Sequence, residues 1–202
     1  MKPIKLIILI GVAGILFYLF KDLIFSDENY KKLVQQERDK KDLSFRSRTN
    51  SPLEDNARAT FTKLNYYEPD KDYQVSARYE EFADPDTVQM QMTNETTEPY
   101  LRYAKATFEL EGQEQQLTLF KKVNETEETL FVPFTDKTNG FDTYGGGRYV
   151  DVPYGKNGKV TLDFNEAYNP YCAYNPEYSC PVPPSENFLS VAIPAGEKAF
   201  SK

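Results

Sequence analysis

Between residues 73 and 164 polar and apolar side chains alternate with a period of two, and that alternation restricts the fold more than any other feature. Tyr73, Val75, Ala77 and Tyr79 alternate with Gln74, Ser76, Arg78 and Glu80, and Val88, Met90 and Met92 with Gln89, Gln91 and Thr93. Successive side chains of a strand point to opposite faces, so these segments read as half-buried strands. Longer runs follow at Tyr100 to Leu110 and Gln116 to Phe120, with Glu111-Gly112-Gln113 between them as a hairpin turn. Leu130 to Phe134, Arg148 to Val152, Val160 to Phe164 after the Asn157-Gly158 turn, Leu189 to Ile193 and a strand near Phe61 to Tyr66 bring the total to about nine. Abundant Tyr, Phe, Pro and Gly favour short strands joined by turns over a helical bundle. The expected fold is mainly β: an antiparallel β-barrel or sandwich of about nine strands, preceded by an N-terminal transmembrane helix and a short helix.

The first 50 residues do not alternate. Leu6 to Phe20 is an apolar run, with Lys2 and Lys5 before it and Lys21 and Asp22 after it. It is shorter than the ~20 residues that span a bilayer comfortably, so Ile4 and the stem of Lys5 must contribute. A cleaved signal peptide is the rival reading, but no small-x-small cleavage site follows the run and no cysteine stands there for lipid attachment. The expected organisation is a membrane anchor over 1–25, a helical spacer over 26–50 and an all-β domain over 51–202. In the spacer, Ser26 or Asp27 can cap a helix in which Tyr30, Leu33 and Val34 share a thin apolar face and Glu37 pairs with Lys41. Such a helix, about 25 Å long, lifts the domain off the membrane. Its first half reads most simply as a solvated spacer, and Asn50-Ser51-Pro52 ends it.

The chain has two cysteines, Cys172 and Cys180, and no His. A disulfide in an oxidising compartment is the natural reading, and closing that loop stabilises a fold by about 2.5 kcal/mol on the chain-entropy model. Two free thiols in a reducing compartment are the alternative. The expected location is therefore the cell membrane, single-pass, with the domain periplasmic or on the cell surface. The formal charge is -7, and the three Lys and one Asp within residues 1–26 leave -9 on the remainder. So acidic a domain disfavours nucleic acid and anionic lipid, which need clustered Lys and Arg. Asn94-Glu95-Thr96 and Asn124-Glu125-Thr126 fit a glycosylation pattern but read as turns.

Glycines, tyrosines, asparagines, carboxylates and both cysteines crowd into residues 130 to 184. Tyr144-Gly145-Gly146-Gly147-Arg148 can form a backbone nest for a carboxylate or phosphate, with Arg148 beside it. It matches no nucleotide-binding spacing, and a tight backbone approach explains the glycines equally well. Asp136, Asp142, Asp163, Glu166 and Glu197 are enough carboxylates for a glycosidase pair or a calcium site, although ion pairs with Arg148, Lys137 or Lys198 account for most of them. Zinc is improbable without His, and no cofactor is implied. Asn165 to Asn187 is a long aperiodic loop pinned by five prolines, with Tyr168, Tyr171, Tyr174 and Tyr178 presenting rings with polar tips. Asn165, Asn169 and these tyrosines suit a sugar or peptide surface, or the cover of one barrel end.

Phe134 to Asp136, Thr143 to Tyr149, Leu162 to Pro170, Cys172 to Tyr174, Cys180 to Pro184, Asn187 and Ala195 to Lys198 resemble the domain of unknown function 1684 family. Lys41-Asp42, Phe45, Ser51-Pro52-Leu53, Tyr66-Tyr67, Pro69, Tyr73 and Val75 resemble its N-terminal part, so the second half of the helix belongs to the domain. The resemblance implies no established activity. Two functions remain. The first is a non-catalytic binding or assembly module of the bacterial cell envelope, partnered by an envelope glycan or protein. Its mark is a tyrosine-lined groove without two convergent carboxylates. The second is a hydrolase of envelope carbohydrate using Asp136, Asp163 or Glu197, which needs two carboxyls about 5 Å apart, or about 6.5 to 9.5 Å, across one cleft.

Overall fold

The computed structural model describes residues 3–49, 51–123 and 128–201, and the side chains of all of these except 3–14 and 16–25. Helix α1 spans Pro3–Arg46 and a short α2 spans Asp55–Thr60. Seven strands follow: β1 Gln74–Glu81, β2 Thr87–Gln91, β3 Thr97–Leu110, β4 Gln113–Lys122, β5 Thr129–Phe134, β6 Arg148–Pro153 and β7 Lys159–Asp163. They form one antiparallel sheet in the order β6-β5-β4-β3-β1-β7, with β2 on the outer half of β3. Its two ends, β6 and β7, approach each other, so the sheet curls into a nearly closed barrel. The turns before β4 and β7 have positive φ at both central residues, Glu111 with Gly112 and Asn157 with Gly158, as the two-residue hairpin demands. Asn94 sits in a turn where its Oδ1 accepts from the backbone N–H and the hydroxyl of Thr96. Asn124-Glu125-Thr126 lies outside the described residues.

Two expected strands are absent, which corrects the total from about nine to seven. Leu189, Val191 and Ile193 are buried in alternation and fill the barrel. Their backbone makes only isolated contacts with the chain after β5, Leu189 N–H to the Thr135 carbonyl at 2.8 Å and Lys137 N–H to the Val191 carbonyl at 3.2 Å, and side chains take the rest: Ser190 N–H donates to Gln115 Oε1 at 3.0 Å and Ile193 N–H to Asp136 Oδ1 at 3.1 Å. Phe61 to Tyr66 is likewise held by α1, with Leu64 N–H on Asp42 Oδ1 at 2.9 Å and Arg46 on the Thr62 carbonyl.

Helix α1 is docked on the barrel, in place of a solvated spacer. Val34, Arg38, Asp42 and Phe45 recur every three or four residues and are buried. Leu33, expected on that face, is exposed. Arg38 donates to the carbonyls of Tyr67 at 2.8 Å and Asn165 at 3.2 Å. Tyr30 Oη lies 2.8 and 2.9 Å from the two oxygens of Asp163, and Lys71 Nζ donates to Ser26 Oγ at 2.7 Å. The expected Glu37–Lys41 pair does not form: Glu37 meets Lys40 at 2.6 Å, while Lys41 meets Glu197 at 2.8 Å. The expected membrane segment, Leu6 to Phe20, falls within α1 where side chains other than that of Ile15 are outside the described residues. Among the described residues no helix is long and apolar enough to cross a membrane.

Inside the barrel end lies Arg148, 0% exposed, on the first residue of β6. One terminal nitrogen donates to Asp136 Oδ2 and to the Ile193 carbonyl, both at 2.9 Å. The other donates to the carbonyls of Ala195 and Glu197, the latter at 3.3 Å. Removing one partner of a buried pair strands the other charge without water. Asp136→Ala is therefore expected to cost about 3–5 kcal/mol, read from the midpoint of urea unfolding. A loss below about 1 kcal/mol contradicts this role.

Candidate functional site

The candidate residues separate into four places. Asp136 and Arg148 form the buried pair, and Asp136 Oδ1 also accepts from the Thr138 N–H at 2.8 Å. Every hydrogen-bonding direction of that carboxylate faces protein, so the pair is framework and not a ligand cradle. The glycine run before it is a tight turn. Gly147 has φ +91°, and a Cβ there would stand 2.7 Å from the Phe134 carbonyl oxygen; one on Gly146 would stand 2.5 Å from the Tyr144 ring. The close-approach reading of these glycines therefore holds, and Arg148, turned wholly inward, leaves the nest reading without its cation.

Asp163 and Asn165 serve the helix. Asp163 accepts from Tyr30, from Gln74 Nε2 at 2.9 Å and from Asn165 N–H at 3.0 Å, while Asn165 Oδ1 accepts from Asp70 N–H at 2.8 Å. Glu166 lies beside Arg38 and Lys41 in a cavity of about 350 Å³, and burial raises its carboxyl above the usual range. Glu197 is 0% exposed and collects three partners from α1 and the aromatic loop: Lys41, Asn169 Nδ2 at 3.1 Å and the Tyr174 hydroxyl. Burial and that neighbouring carboxylate push the Tyr174 phenol well up, so it remains a donor. The carboxylates of Asp136, Asp163 and Glu197 share no hydrogen-bond partner, and none of them lines the open groove beside the aromatic loop. Asp142 is exposed.

The expected disulfide is absent: Cys172 and Cys180 are both free thiols. Cys172 N–H donates to Cys180 Sγ at 3.2 Å, and Tyr144 Oη stands 3.9 Å from Cys172 Sγ. The loop needs no cross-link because its backbone is sewn to β2 and its turn. Thr93 N–H meets the Cys180 carbonyl at 2.9 Å, Cys180 N–H meets Thr93 Oγ1 at 3.0 Å, and Val182 N–H meets the Gln91 carbonyl at 2.7 Å.

This loop, α1 and the outer face of the sheet enclose a groove of about 770 Å³. Tyr168 and Asn169, both expected, line it, with Tyr171 and Tyr178 of the same loop. The sequence reading missed Tyr100, Phe131, Tyr149, Asp151 and Lys41, which come from β3, β5, β6 and α1. The rings touch in series. Tyr100 and Phe131 have centroids 5.7 Å apart, Phe131 and Tyr149 4.7 Å, and Tyr149 and Tyr168 5.7 Å. Asp151 faces Phe131 across the β5–β6 ladder and accepts from Tyr168 Oη at 2.7 Å. Its side chain reaches solvent, yet the surrounding apolar matter raises its carboxyl above the usual range. The available signal was the alternation of Tyr149 and Asp151 with Val150 and Val152, which places the ring and the acid on one face.

The two sulfurs differ in character. A hydrogen bond from Cys180 lowers the Cys172 thiol to about 6. Cys172 is half-buried and Cys180 buried. Thiolate predominates above the pKa, so iodoacetamide is expected to alkylate Cys172 first, with a rate that rises through about pH 6. Peptide mapping that finds equal rates, with a common midpoint near the ordinary thiol value, contradicts this.

Among known proteins, no curated protein matches the chain. A solved structure does: an uncharacterized protein of the archaeon Haloarcula marismortui, determined by NMR in solution, is 38% identical with a TM-score of 0.68. The match covers 86% of this chain and 96% of that one. A family model described as a protein of unknown function, DUF1684, matches residues 59–198. That span takes in the whole barrel, the aromatic loop and Glu197, and by it the chain belongs to the DUF1684 family.

Proposed function

We propose that this domain is a non-catalytic binding module of the cell envelope, held at the membrane by the apolar segment Leu6 to Phe20, with the tyrosine-lined groove as its binding surface. The observation that carries the reading is the groove itself: a continuous wall of four rings with two further tyrosines at its mouth, Asp151 beside the rings, and Glu37 on the α1 wall held in an ion pair with Lys40. Tyrosine supplies broad contact area and a polar tip at low conformational cost, which suits recognition. Catalysis of glycoside hydrolysis needs two carboxyls set to flank one bond, and Glu37, the groove's other carboxylate, is exposed and bound to Lys40 at 2.6 Å. Asp136, Asp163 and Glu197, the residues proposed for that role, have their carboxylates on different partners and outside the groove.

Tyr171 and Tyr178 are 49% and 39% exposed, and their rings pack on each other with centroids 5.3 Å apart. Substituting exposed residues shifts stability by no more than about 0.5 kcal/mol, so loss of binding in such a variant reports on the surface alone. The Tyr171→Ala/Tyr178→Ala chain is expected to lose co-sedimentation with purified cell-envelope fragments that the unaltered chain retains. Equal sedimentation of the two chains contradicts the groove. The anchor has its own check: the full chain is expected in the membrane fraction and a chain lacking residues 1–25 in the supernatant. A full chain found wholly in the supernatant removes the membrane from the proposal.

A further inference from the structure

We infer that the group received by this groove is a cationic ammonium, a protonated amine or a quaternary ammonium, with the ring wall against it and Asp151 as its counter-charge. The inference rests on the groove being the binding surface and names the chemistry it takes.

Charge complementarity carries it. The groove's cations already have carboxylate partners: Lys41 has Glu197 at 2.8 Å, Lys40 has Glu37 at 2.6 Å, and Lys122 at the rim has Glu98 at 3.6 Å. Asp151 has the Tyr168 hydroxyl and, among the described residues, no cation. The rings packed about its inner side raise its carboxyl above the usual range while it still reaches solvent, and no positive charge acts to lower it, which is the state an incoming cation relieves. The rings Tyr100, Phe131 and Tyr168 line both the groove and a recess of about 250 Å³ that shares Asp151, where the one lysine, Lys122, is paired with Glu98. Ring faces carry negative charge and attract cations, most strongly where water is excluded. The groove shows this with its own lysine, since Lys41 Nζ lies 5.0 Å from the centroid of Tyr168 and 5.7 Å from that of Phe45. An anion would meet the carboxylate and the ring faces together, and a neutral sugar would leave Asp151 uncompensated.

The position of the groove on α1 selects among sources of such a group. Lys41 lies 21 residues beyond Phe20 on one uninterrupted helix, about 31 Å at 1.5 Å per residue. If the apolar segment lies in a bilayer, the groove stands well clear of that bilayer's headgroups. The ligand is then a soluble amine or quaternary ammonium compound and not the headgroup of a neighbouring lipid.

The chain contains no Trp, so tyrosine dominates its intrinsic fluorescence and reports on the groove. The full chain in octaethylene glycol dodecyl ether micelles is titrated with choline, with its neutral isostere 3,3-dimethylbutan-1-ol and with N-acetylglucosamine. Choline is expected to bind at least about tenfold more tightly than the isostere, and Asp151→Asn to abolish that preference. Far-UV circular dichroism checks that the variant is folded, as the solvent-reaching position of Asp151 predicts. Equal affinity for choline and the isostere overturns the inference, as does a preference that survives Asp151→Asn. Binding of N-acetylglucosamine without choline, lost in the Tyr171→Ala/Tyr178→Ala chain, overturns the ammonium and leaves the groove standing. Silence of all three probes, with envelope sedimentation intact, also overturns the ammonium alone.

Discussion

The guanidinium of Arg148 is the constraint on which the rest of the structure depends. It is fully buried, so the protons it offers must find partners inside the fold, and Asp136 together with three carbonyls of the C-terminal segment supplies most of that demand. By gripping Ile193, Ala195 and Glu197 it fixes a length of chain that makes no ladder of its own. That segment turns at Gly196, with φ +74°, and delivers the Glu197 carboxylate into the interior. Glu197 then binds α1 through Lys41 and the aromatic loop through Asn169 and Tyr174. Strand, tail, helix and loop are joined in one polar relay, and the groove lies where helix and loop meet.

Such a relay is vulnerable in a characteristic way. Buried ionic groups add little net stability compared with apolar packing of the same volume, yet breaking one partner leaves the other stranded. The apolar barrel core of Leu117, Leu119, Leu130, Val132, Phe134 and Leu162 supplies the burial that drives folding. The relay contributes position more than energy: it fixes the height of the helix and the register of the loop against that core.

The sequence made the barrel legible because alternation and turn chemistry agree there. Seven strands fall within a few residues of their expected places, and both positive-φ turns sit on the expected dipeptides. Leu189 to Ile193 alternates just as clearly, but periodicity reports burial and not the hydrogen-bond partner, which here is Gln115 or Asp136. Arg148 and Asp136 drew attention as charges beside a glycine run, and one sequence cannot say that such charges face inward. The groove was half visible. Tyr168, Asn169, Tyr171 and Tyr178 stand together in one loop, whereas Tyr100, Phe131, Tyr149 and Asp151 meet only after the four strands β3 to β6 pair.

The docking of α1 changes what counts as the domain. The family model begins at residue 59, beyond the helix, yet Glu37, Lys40, Lys41, Ser44 and Phe45 form one wall of the groove. A chain cut at the family boundary would keep all seven strands and lose that wall, together with the only cation that Glu197 meets among the described residues. The segment that looks like a stalk is thus one wall of the groove. Any movement transmitted along the helix from its N-terminal end would open or narrow the groove directly, with no loop or hinge between the lever and the site.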